Sequence, residues 1–171
     1  MLISRITHQG LARLTAKWPY LSDRLAASFD PLESEEIPWT EVSKPLDQSR
    51  IAVVTTAGVH HRSQKKFNMT DRHGDPSFRV LDAVTIEHDY TITHDYYDHR
   101  DAERDLNVVF PVARLKELQA SGCIGALAER LFSFMGHIEG THIDALIGET
   151  APRVAAMLKQ DRVDAVLLTP A

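Results

Sequence analysis

Two short apolar runs limit what this chain can become. RIAVVTTAGVHH carries Ile51, Val53 and Val54, and VDAVLLTPA closes the sequence with the run Val163–Leu168. Apolar residues at consecutive rather than alternate positions belong to strands buried on both faces, the environment of a parallel sheet. Parallel strands need crossover connections, and helical segments lie between these two runs. FPVARLKELQASG offers Pro111 for a first turn, Val112, Leu115 and Leu118 for one face, and Gly122 as a stop. GETAPRVAAMLKQD offers Thr150 as a cap, Pro152 in the first turn, and Val154, Met157 and Leu158 towards a core. IGALAERLFSFMGHI between them reads as helix or strand. The order strand, helix, helix, strand predicts an α/β fold: a largely parallel sheet with flanking helices, three-layered or incompletely doubly wound. In it, Ile51–Thr55 and Val163–Leu168 could be neighbouring strands.

The remainder divides at about residue 37. Leu11, Leu14, Trp18, Leu21 and Leu25 repeat at helical spacing broken by Pro19, so residues 1–37 are expected to be a helical leader and linker. Residues 38–171 are expected to hold the α/β domain, entered through a proline-rich surface connection over 30–49. Residues 62–90 read as polar and irregular, with a turn at DRHGDPSF and a short strand near Thr91–Thr93.

Composition narrows the function classes. A net charge of −5 argues against general binding to nucleic acid or an anionic membrane, since phosphate surfaces select basic faces. The single cysteine, Cys123, excludes a disulfide or Cys-rich zinc site within one chain and fits a reducing compartment. No apolar run is long enough to span a bilayer, and MLISRITHQGLARL lacks the features of a signal peptide. The expectation is a soluble cytoplasmic protein.

Four stretches could carry chemistry. In TTAGVHH, a strand ending in small hydroxyl residues and glycine lets backbone N–H groups approach an anion or carboxylate, which nominates Thr55, Thr56, Gly58 and His60 for substrate binding. A plain strand-to-loop turn is the alternative, and neither glycine-rich nucleotide fingerprint is present. In THDYYDHRDAERDLNVVFP, the residues His94, Asp95, Asp98, His99 and Asp101 suggest metal ligands, yet a solvated loop held by Asp side chains is preferred. A general acid–base role for His94 or His99, oriented by Asp98, is a third possibility; on a helix, His94 and Asp98 would share a face. Cys123 is expected to be a buried, inert thiol. Phe132, Phe134 and Met135 in RLFSFMGHIEG are expected to be core.

Taken together, KPLDQSRIAVVTTAGVHHR, GDPSFRV, THDYYDHRDAERDLNVVFPVARLKEL, IGALAERLFSFMG and ETAPRVAAMLKQDRVDAVLLTP resemble the selenoprotein B family of glycine, sarcosine, betaine and D-proline reductases. The likeness is greatest to its shorter, D-proline-reductase-like members and covers about residues 38–171. Its most specific parts are VTTAGVH, the D-x-N-x-x-F-P pattern of Asp105–Pro111, and DAVLLTP. The resemblance implies reductive cleavage of a C–N bond in an amino-acid-like substrate, in company with other reductase subunits. It also implies a selenocysteine just after LLTP, usually followed by a cysteine. Neither is present here, and selenocysteine is encoded by UGA, ordinarily a stop codon. The resemblance thus implies an N-terminal part of a longer selenoprotein, without a catalytic redox residue or cofactor of its own and inactive alone. An exposed sheet edge would favour a homo-oligomer. Two alternatives stand beside this: a non-catalytic α/β module for binding a small molecule or a subunit, and a His/Asp metal-dependent enzyme.

Overall fold

A computed structural model describes residues 39–85 and 89–171, together with 10, 14 and 17–27. The chain forms two compact units, Met1–Ser43 with Asp95–Asp98, and Lys44–His94 with His99–Ala171. In the first, helix α1 (Pro19–Ala26) starts at the proline that the spacing treats as a break. A first-turn proline has no intrahelical N–H bond to lose, so it opens the helix. Leu11 and the side chain of Leu25 lie outside the described residues.

The second unit is built on the first apolar run. Strand β1 (Arg50–Thr55) is buried except for exposed Arg50 and half-buried Val54. A short β2 (Val59–His61) follows and pairs antiparallel with β4 (Tyr90–Ile92) as a separate ribbon. Strand β3 (Phe78–Asp82) lies between them in sequence. Helices α2 (Arg100–Arg104) and α3 (Val112–Ala120) lead to β5 (Ala126–Leu127) and β6 (Arg130–Phe134). Helix α4 (Thr141–Ala145) then runs through a π turn at Leu146–Thr150 into α5 (Ala151–Gln160), and β7 (Ala165–Thr169) completes the sheet. Among the described residues no helix is long and apolar enough to cross a membrane.

The fold is α/β with a mostly parallel five-stranded sheet. β5 and β6 follow one another along one side of β1, both parallel to it, and β7 runs parallel along the other side in register from Ile51↔Ala165 to Thr55↔Thr169. The two apolar runs are therefore neighbours, but the second is not the buried strand its composition predicts: Val166, Leu167 and Leu168 are exposed, because among the described residues β7 pairs only with β1. Antiparallel β3 closes the far edge against β6. On one face, Val54, Phe132, Phe134, Phe78 and Val80 pack with Val154, Met157 and Leu158 of α5. Ile51, Val53 and Thr55 point to the opposite face by strand alternation. There α3 buries Val112 and Leu115 beside β5.

Several local expectations are corrected. Residues 62–90 are not irregular throughout, because β3 lies within them. Its apolar alternation is masked by Arg79, whose guanidinium sits 4.2 Å over the Phe67 ring and donates to the Lys65 and Lys66 carbonyls. Thr150 is no cap: its backbone is helical (φ −77°, ψ −40°) and its side chain makes no capping bond. The helix is already running from α4, and a wide π turn accommodates the N–H that Pro152 lacks. Cys123 is exposed rather than buried, because Gly122 (φ +75°) turns the chain so that Ile124 goes inward instead. The ambiguous segment after it is strand, and Phe132, Phe134 and Met135 are core.

Candidate functional site

Parallel strands deliver their carboxyl ends to one edge, and here three chain segments meet there: Thr55–Gly58 after β1, Phe134–Gly136 at the end of β6, and Thr169–Ala171 at the end of β7. Backbone bonds from the Gly136 N–H to Thr56 and from the Gly58 N–H to Phe134 tie the first two, and a shared carbonyl ties the first and third. The Thr55 hydroxyl donates to the Val109 oxygen at 2.8 Å, and the Thr169 hydroxyl donates to the same oxygen at 2.7 Å. Thr55 and Thr169 are register partners, so both side chains leave the sheet on one face and reach one acceptor.

Val109 is positioned by the stretch Asp105–Pro111. Asp105 accepts bonds from the backbone N–H and side-chain amide of Asn107, which hold its carboxyl below the usual range. The Asn107 oxygen in turn accepts from the N–H groups of Ala113 (3.0 Å) and Arg114 (3.4 Å), satisfying the first turn of α3 that Pro111 leaves uncapped. Phe110 is buried edge-on against Tyr90. The D-x-N-x-x-F-P pattern therefore has a physical purpose: it caps α3 and presents one carbonyl to two strand ends.

The nominated residues divide around this edge. Thr55 is fully buried, and its hydroxyl also accepts from the Ala57 N–H. The Thr56 N–H donates to Thr169 and the Gly58 N–H to Phe134. The N–H groups of Thr56, Ala57 and Gly58 thus all donate within the fold rather than forming an anion cradle. The Thr56 hydroxyl differs. It accepts from the Ala171 N–H at 3.1 Å, and among the described residues nothing receives its own proton. Gly136 lies beside it, where a Cβ would come within 3.1 Å of the Thr56 carbonyl and 3.2 Å of that of Ala171. Gly58 (φ +69°) brings the chain against Thr93, whose carbonyl would lie 2.4 Å from a Cβ.

His60 is fully buried in β2. Its Nδ1 lies 2.9 Å from the His61 carbonyl and its Nε2 2.8 Å from the Thr93 hydroxyl. A carbonyl only accepts, so Nδ1 carries the proton and Nε2 accepts from Thr93. Desolvation by burial holds its pKa below the usual histidine value, which keeps the ring neutral.

The acidic stretch is less helical than the i,i+4 reading requires, since α2 starts only at Arg100. His94 is buried and belongs to the larger unit, whereas Asp98 belongs to the smaller. His99 pairs with Glu103 at 2.7 Å. Glu103 also lines a cleft of about 510 Å3 with Arg62, Tyr90, Thr91, Ile92, Arg104 and neighbours. Among the described residues no group of three or more His, Cys, Asp or Glu side chains is placed to hold a metal ion.

Sequence reasoning missed Thr169, Gly136 and Asn107. One signal pointed to Thr169: both apolar runs end on threonine, VVTT and LLTP, and parallel neighbours of equal phase bring such endings side by side.

Residues 25–171 match the family model described as glycine/sarcosine/betaine reductase selenoprotein B. The chain is 40% identical over 131 residues to the D-proline reductase subunit gamma of Acetoanaerobium sticklandii, covering 77% of this chain and 52% of that protein. It is 30% identical over 154 residues to the glycine reductase complex component B subunit gamma of Symbiobacterium thermophilum, covering 88% of this chain and 34% of the relative. A sarcosine reductase complex component B subunit beta from Peptoclostridium acidaminophilum is 28% identical over 138 residues, 79% of this chain and 31% of the relative. The chain thus spans from about a third to about half the length of these relatives. No solved structure matches it.

Proposed function

The chain belongs to the glycine/sarcosine/betaine reductase selenoprotein B family, and on that premise we propose that it is part of a reductase subunit that reductively cleaves a C–N bond of an amino-acid-like substrate. The observation that carries this is the family match over residues 25–171, which runs through all three segments gathered at the carboxyl edge. Ligands and reactive groups of open α/β sheets lie in the crevice beyond that edge.

In this reading a selenocysteine follows Ala171 in the longer protein. The residues present suit such a neighbour: the Ala171 N–H is held by Thr56, and Gly136 has no side chain to occupy the space beside them. Selenocysteine supplies a polarisable nucleophile and a two-electron redox couple. This chain's own residues position and bind. Thr55 and Thr169, both tied to Val109, fix the height of β1 and β7. Thr56, with a hydroxyl proton still to donate, is the candidate donor to a substrate carboxylate. His60 and Gly58 shape the turn beneath it. His99, with Glu103 against it, is the acid–base candidate with a placed carboxylate partner. Other reductase subunits complete the enzyme, as the relatives' names as complex components suggest.

The test is to read the coding sequence past codon 171, express the selenocysteine-containing product, and assay it with its partner subunits and a dithiol. Glycine, sarcosine, betaine and D-proline form the substrate panel. Turnover of one of them, abolished by serine at the selenocysteine and lowered about tenfold or more by Thr56→Val, is the expected result. A product inert on all four, or a coding sequence without a redox residue, would reject the proposal.

A further inference from the structure

Strand β7 has the composition of an interior strand and the surroundings of an edge. Val166 is 38% exposed, Leu167 39% and Leu168 69%, so both of its faces are open. Among the described residues it pairs only with β1. The bond from the Thr56 N–H to the Thr169 carbonyl sets the phase of that parallel ladder. Thr169 and Leu167 therefore turn their backbone groups to β1, and Val166 and Leu168 turn theirs to the open side. An apolar, unprotected edge of this kind is a site for a further strand.

Topology specifies more. The connection from β1 to β6 passes over the face carrying Thr55 and Val109, and that from β6 to β7 passes over the opposite face, through α5. Two crossovers in opposite directions on opposite faces are what a single right hand requires. A further right-handed crossover continuing past β7 has the direction of the second and so places its helix on the face of α5. Leu168 is the register partner of Val54, which packs on that face, and Val166 shares it by alternation.

We infer that β7 is an interior strand of the working sheet, covered by a strand–helix segment of the same longer polypeptide. The added strand runs parallel to β7, and its helix lies over Val166 and Leu168 beside α5. This rests on the reading that the chain is part of a longer reductase subunit, and the relatives have the length for it: the matched region is only 52% of the D-proline reductase subunit. A second copy fits less well. A two-fold axis would set β7 antiparallel to its twin and bring no helix over Leu168.

The experiment compares this 171-residue chain with the longer product, in which the codon after Ala171 is read as cysteine. Hydrogen exchange in the peptide 164–171 is expected to be slower in the longer product by about a hundredfold or more. Leu168→Asp is expected to lower the Tm of the longer product by several degrees and leave the shorter one unchanged. Equal exchange in the two proteins would overturn the inference. So would concentration-dependent protection in the short chain, which would assign β7 to a second copy. The absence of downstream coding sequence would overturn it as well. Protection at β7 in a longer product that reduces nothing with its partner subunits would support the inference and sink only the functional reading.

Discussion

At the residue scale the site is organised by hydroxyls and one neutral imidazole. Thr55→Val removes a buried donor from Val109 and the acceptor of the Ala57 N–H, and should cost about 1–3 kcal/mol in urea unfolding. Thr169→Val should cost less, and the double variant should depart from additivity by at least about 0.5 kcal/mol, because both hydroxyls serve one carbonyl. Gly58 and Gly122 make a second comparison. Both have positive φ, but a Cβ meets the Thr93 carbonyl at the first and open space at the second. Gly122→Ala should cost about 1–2 kcal/mol for the left-handed backbone alone, and Gly58→Ala distinctly more. His60 sets an acid limb. Its folded pKa lies below the unfolded value, so the unfolded state takes up a proton first as pH falls. The stability from its neutral form is complete above the unfolded pKa of about 6.5 and declines below it. His60→Gln should flatten the difference in stability between pH 7.5 and pH 5.5, read from urea midpoints.

At the element scale the decisive piece is the cap on α3. Asn107 receives two N–H groups of its first turn, and the same loop presents Val109 to the strands. Asn107→Ala should destabilise the protein by about 1 kcal/mol and speed amide exchange at Ala113 and Arg114, with Thr55 and Thr169 loosened in consequence. Helix periodicity alone does not reveal such a cap, because the side chain comes from six residues before the first N–H it serves. The π turn at Leu146–Thr150 is similar. Pro152 was legible as a helix-start signal, but a proline close to the end of a preceding helix can be absorbed by a widened turn.

At the scale of the whole molecule, the sheet centres on β1, whose partners β5, β6 and β7 all come later in the chain. Thr55 and Thr169 lie 114 positions apart, so the loop between them must close before their bonds can form. Refolding should therefore take milliseconds to seconds rather than microseconds, a range that stopped-flow fluorescence resolves.

The sequence by itself determined the α/β class, the two apolar strands and the helices between them, because consecutive apolar residues favour parallel strands and parallel strands demand crossovers. It also carried the family likeness, through VTTAGVH, the Asp105–Pro111 pattern and DAVLLTP. Tertiary structure alone decided which polar atoms remained available. The N–H groups of Thr56, Ala57 and Gly58 are used internally, His60 is saturated, and the Thr56 hydroxyl keeps a proton to give. Hydrogen bonding is allocated between segments far apart in the chain, and a local pattern of residue types does not encode that allocation.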